Sequence, residues 1–105
     1  MNSKRKGSQG EREFCELCRS YGYDARRNDQ IYTGGKDNPD VGGLPGVHVE
    51  VKRTEKLNIH AAMQQAIRDA DGKAVPIVAH RRNRDIWLIT MRAEDWFVKL
   101  CNENG

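Results

Sequence analysis

The stretch VHVEVKR, residues 47–53, decides the fold of this 105-residue chain. Val47, Val49 and Val51 alternate with His48, Glu50 and Lys52. A period of two is the signature of a β-strand with one row of side chains turned to a core. The second row carries chemistry. Glu50 and Lys52 project from one face, about 7 Å apart along the strand. A carboxylate in that position suits a hard divalent cation. The neighbouring ammonium is placed to orient or help deprotonate a water, or to steady charge on a phosphate.

Working outward, Pro39-Asp40 precedes the turn Leu44-Pro45-Gly46. The turn folds the segment Pro39 to Gly43 back beside 47–53, so Asp40 and Glu50 belong on adjacent strands. Two facing carboxylates repel unless a positive charge lies between them. Mg²⁺ meets that need, with Mn²⁺ as the alternative ion; it takes one or two carboxylates and accepts phosphate oxygens as further ligands. Such a cation promotes attack of water on a phosphodiester and steadies the leaving oxygen. The plain structural alternative is a turn-forming Asp40 and a same-face Glu50–Lys52 ion pair.

Three further groups are candidates. Glu11 flanks the apolar stripe of the first helix and is open to two readings, a third metal ligand or the closing member of a Ser8-x-x-Glu11 capping box. Gln64 and Gln65 sit on either flank of the second helix's stripe, and periodicity does not choose which leans over the catalytic face. His48 shares the face of Glu50 and is placed to meet DNA.

The remaining elements follow from periodicity. Phe14, Leu17, Cys18 and Tyr21 mark a helix from about Gln9 to Tyr21, stopped by Gly22. Residues 1–7 read as a flexible basic arm. Tyr23 to Arg27 is a first short strand, and the Gly-rich run 28–38 a mobile loop. Asn58 caps a helix from Ile59 to Asp71 with one apolar stripe. Ala74 to Ala79 is an apolar central strand in which Pro76 must sit near the start or at an irregularity. His80 to Arg84 is a basic turn, and Asp85 to Met91 another strand. A last amphipathic helix carries Trp96, Phe97 and Leu100. The order α-β-β-β-α-β-β-α predicts a single α/β domain, residues 1–105, with a mixed sheet flanked by helices.

Composition narrows the class. The chain is 37% hydrophobic and 31% charged, with a formal charge of +3. Periodic apolar segments exclude a disordered chain. No run nears the roughly 20 apolar residues of a membrane span, and the basic start has no apolar signal region, so the expectation is an intracellular, cytoplasmic protein without membrane contact. Lys4, Arg5 and Lys6, the pair Arg26-Arg27, and Arg81, Arg82 and Arg84 are candidate phosphate contacts, each weighed against plain solvated charge. Cys15, Cys18 and Cys101 suggest reduced thiols. A C-x-x-C pair without a second pair, on an apolar helix face, reads as buried packing thiols rather than a zinc or redox centre.

Taken together, Lys6-Gly7-Ser8 with Glu11-Arg12, Gly22-Tyr23 leading to Arg27, Thr33-Gly34, Pro39-Asp40-Val41 and Glu50-Val51-Lys52 resemble the archaeal-type Holliday junction resolvases and their phage-encoded relatives, in the PD-(D/E)xK nuclease superfamily. The resemblance spans about Lys6 to Leu88. It implies a restriction-endonuclease-like core, Mg²⁺-dependent cleavage of branched or four-way DNA in recombination and repair, and a homodimer (in the host cytoplasm if phage-encoded). It also implies roles: Glu11, Asp40 and Glu50 as metal ligands, Lys52 as catalytic lysine, Gln65 reaching the active site, and Arg27, Thr33 and the basic leader on DNA. The competing readings are another nuclease of the superfamily, acting on flaps, ends or duplex, and a non-catalytic DNA-binding module of the same fold.

Overall fold

The computed structural model describes residues 3–28 and 38–104, with side chains over 7–28 and 38–103. Helix α1 spans Ser3–Ser20, followed by strands β1 (Arg26–Arg27), β2 (Val41–Gly42) and β3 (Val47–Arg53). Helix α2 (Ile59–Ala70), strands β4 (Val75–Arg81) and β5 (Leu88–Met91) and helix α3 (Ala93–Asn104) complete the order among the described residues. That order is the expected one. The five strands form one mixed sheet, β1-β2-β3-β4-β5. β3 and β4 are parallel and the other neighbours antiparallel. A parallel pair needs a crossover, and α2 supplies it.

Alternation along β3 assigns the two layers. Val49 and Val51 pack with Ile77 and Ala79 of β4 against Phe14, Cys15 and Cys18 of α1. Val78, on the opposite face of β4, packs against Ala62 and Ala66 of α2. Pro76 sits second in β4, opposite His48. Asn58 caps α2 by accepting the Ala61 N–H, and Asp71, in left-handed geometry, closes it. No helix among the described residues is long and apolar enough to cross a membrane.

Several boundaries differ from expectation. Helix α1 begins at Ser3, so residues 3–7, expected as a basic arm, are helical. Ser8 therefore lies inside the helix, and the capping-box reading of Glu11 falls. The short strands shrink to two residues each because pairing is confined to Arg26↔Gly42 and Arg27↔Val41. The last strand begins at Leu88 rather than Asp85, whose side chain instead accepts from Arg82 and from the Ile86 N–H. The expected loop 28–38 lies, apart from its ends, outside the described residues.

Two close approaches depend on glycine. Gly43 holds a φ of +94°, and a Cβ there would collide with the Asp24 carbonyl oxygen. Gly10 brings α1 onto β3: a Cβ would stand 2.7 Å from the Arg53 Cβ and 3.4 Å from a Val51 methyl. Gly10→Leu is expected to destabilise the protein by about 1–3 kcal/mol, the usual range for overpacking. Thermal melting checks this; an unchanged melting temperature would show that α1 yields without loss.

Candidate active site and metal centre

The face of β3 turned to α2 carries His48, Glu50 and Lys52. Glu50 is 3% exposed and His48 5%. This corrects the picture of an outward chemical face: α2 roofs it. His48, expected to meet DNA, instead bonds through Nε2 to Glu50 Oε1 at 3.0 Å.

Asp40 arrives just before β2. Its N–H donates to the Val49 carbonyl at 2.8 Å, and its own carbonyl accepts from Asn28 at 3.0 Å. Its Oδ2 accepts the Val51 N–H at 2.8 Å. Backbone on both sides therefore fixes this side chain, which meets Glu50. Burial pushes the Glu50 carboxyl well above the carboxylate range. The charge of Asp40, a hydrogen bond with it, and the charge of Asp69 push the same way, while Lys52 opposes them. The expected juxtaposition of Asp40 and Glu50 is present.

Lys52 Nζ donates to Gln65 Oε1 at 3.2 Å across the β3–α2 interface. Of the two glutamines, Gln65 is thus the one over the Glu50–Lys52 face, and Gln64 is exposed. Asp69 follows Gln65 by four residues, one helical turn along the same side of α2. Among the described residues, one set of three metal-ligating side chains has its donor atoms within 4.8 Å of one another: His48, Glu50 and Asp69. Sequence reasoning missed Asp69; its signal was the i, i+4 spacing from Gln65.

Glu11 lies on α1 and is no member of that set. Its Oε1 accepts from Arg27 Nε at 3.3 Å. Glu13, also on α1, accepts from Arg53 at 3.2 Å and Arg81 at 3.1 Å. Burial works to raise its carboxyl, but Arg81 and Arg53 outweigh it and hold it below the ordinary value. Arg81 is thereby engaged between α1 and the sheet, whereas Arg82 pairs with Asp85 at the exposed β4–β5 turn. Thr33 and the side chains of Lys4, Arg5 and Lys6 lie outside the described residues. Cys15 and Cys18 are buried, and burial raises both thiols, Cys18 up to about 11, which keeps them protonated packing groups.

The donor set fits a hard divalent cation. The buried Glu50 carboxyl meets that of the part-exposed Asp40, and carboxylate oxygens are the ligands Mg²⁺ and Mn²⁺ take.

No protein-family model matches this chain, and no curated protein does. The fold matches a solved one. Hjc from Archaeoglobus fulgidus, a Holliday junction resolvase from an archaeal hyperthermophile, aligns with a TM-score of 0.58. The match covers 82% of this chain and 72% of that one, at 24% identity. At that identity the likeness is one of fold, an α/β resolvase-like core around a mixed sheet.

Glu50 gives a pH prediction. Its folded-state pKa is raised, so its contribution to stability is full below its ordinary value of 4.5 and is lost as the pH rises through the raised value. Metal-free protein should therefore lose stability from pH 5 to 9. Glu50→Gln should flatten that slope and gain about 1–3 kcal/mol at the alkaline end. Thermal melts in chelator check this; parallel slopes for the two proteins would contradict it.

Proposed function

We propose that the protein is a divalent-metal-dependent DNA endonuclease that hydrolyses phosphodiesters in four-way junctions or related branched DNA. One observation carries the reading: a part-exposed Asp40 set against the buried Glu50 carboxyl, with Lys52 two residues along the same strand face, in a fold shared with a Holliday junction resolvase. A non-catalytic binder has no use for carboxylates gathered where phosphate must approach.

In this reading Asp40 and Glu50 hold Mg²⁺ or Mn²⁺. When bound, the ion neutralises the pair and stabilises charge on the reacting phosphate. The protein's own groups do the rest. The Val51 N–H and the strand backbone hold Asp40 in place. Gln65 holds the Lys52 ammonium beside the phosphate, where it orients the attacking water and steadies developing charge. Glu11 supports the site as a further ligand or by positioning Arg27 toward the DNA backbone. Arg82, exposed at the β4–β5 turn, and the basic leader supply phosphate contacts, so binding weakens steeply with salt. Selectivity comes from junction shape, since such contacts do not read bases.

Asp40→Asn should lower junction cleavage at least ~100-fold, as should Lys52→Ala, the scale of a lost participant in proton or charge handling. Labelled four-way junction, flap, duplex and single-stranded DNA, each with Mg²⁺ and with chelator, provide the assay. No cleavage of any substrate with any divalent ion would sink the enzyme reading; full activity in Asp40→Asn would sink the site.

The reading includes a homodimer. Ile89 on edge strand β5 and Val98 on α3 line one groove, and both, with the neighbouring Trp96 and Phe97 on α3, are about half exposed. An apolar patch of that kind marks an interaction surface, and a second copy is its proposed cover. Phe97→Asp should shift the protein toward monomer in sedimentation equilibrium; a wild type that sediments as a monomer at high concentration would refute this.

A further inference from the structure

We propose that His48, Glu50 and Asp69 form a second cation position, on the α2 side of Glu50, that takes a first-row transition ion such as Mn²⁺ or Co²⁺ in preference to Mg²⁺. Three observations converge on it. The donor atoms of the three residues lie within 4.8 Å of one another, close enough for one ion to touch all three. They come from two rigid elements, β3 and α2, so they are pre-organised. Two of them, His48 and Glu50, are almost wholly buried.

A buried histidine–glutamate hydrogen bond explains two of these residues and leaves the third unexplained. His48 Nε2 and Glu50 Oε1 satisfy each other at 3.0 Å. Asp69 adds a carboxylate to a place where Glu50 is already desolvated and faces Asp40 from the β2 side. Negative charge gathered in a low-dielectric setting is unfavourable unless a cation balances it. Lys52, bonded to Gln65, offsets only part of that charge, since Glu50 stays hard to ionise despite it. A divalent ion bound in place of the hydrogen between His48 and Glu50 would engage all three groups at once.

Ligand chemistry sets the preference. Mg²⁺ demands oxygen ligands and retains water, so the imidazole nitrogen gives it little. Imidazole with carboxylate suits first-row transition ions, whose affinity for such sites rises from Mn²⁺ through Co²⁺. The Asp40 side of Glu50, with oxygen donors, remains the Mg²⁺ position. The proposal goes beyond the nuclease reading and does not depend on DNA cleavage, because it is tested by binding.

The test uses the full chain with Mn²⁺ as probe. Wild type should bind Mn²⁺ more tightly than Mg²⁺, and pulsed electron paramagnetic resonance of the bound ion should show nitrogen-14 coupling from one imidazole. His48→Gln should abolish that coupling and weaken Mn²⁺ at least about tenfold, since even a supporting bond to a ligand is worth that much. Asp69→Asn should weaken Mn²⁺ comparably but keep the nitrogen coupling, and it provides the test should His48→Gln fail to fold. Mn²⁺ bound without nitrogen coupling, or Asp69→Asn binding as wild type does, would overturn the second position and leave the nuclease reading standing. Failure to bind any divalent ion would overturn both.

Discussion

Strand β3 lies third of five in the sheet with a helix against each face, so neither of its side-chain rows meets bulk water freely. On one side this is ordinary core formation, with valines against α1. On the other, α2 closes over a histidine and a glutamate. Most of what distinguishes the site follows from that enclosure. A carboxylate that would be unremarkable on a surface becomes hard to ionise, and its neighbours gain leverage over it. Charge must be balanced locally, by proton, lysine or cation.

The supporting structure is arranged so that this enclosure cannot relax. Gly10 allows α1 to approach the Arg53 and Val51 side chains of β3 more closely than a residue with a Cβ could. Glu13 draws Arg53 and Arg81 together and joins α1, β3 and β4. Such part-buried charge clusters contribute little net stability, but removing one partner leaves charge stranded. On the other side, α2 is set by its caps and by the small residues Ala62, Ala66 and Ala70, which let it lie close to the sheet.

Much of this was legible in the residues, for identifiable reasons. The alternation of 47–53 specifies strand, faces and the Glu50–Lys52 pairing, because a period of two leaves no other arrangement. The short Leu44-Pro45-Gly46 turn brings Asp40 back to Glu50. Illegible features depend on rotation and layer contact. Periodicity places Gln64 and Gln65 on opposite flanks of one stripe; only the docking angle of α2 selects Gln65, and with it Asp69. The role of Glu13 emerges only where Arg53 of β3 and Arg81 of β4 converge on it. Whether His48 faces solvent depends on a roof that no local pattern announces. The start of α1 at Ser3 carries no sequence mark, because basic, polar residues form no apolar stripe.

Val51 belongs to both layers at once. Its side chain packs among α1 residues, while its N–H is bonded to Asp40 Oδ2. The acid is therefore tethered to the same peptide unit that anchors the hydrophobic interior. Local opening that released Asp40 would have to disturb that unit, so the site belongs to the most cooperative part of the molecule rather than to a loosely attached rim. Repacking beneath α1 would be felt at the carboxylate pair, through one amide.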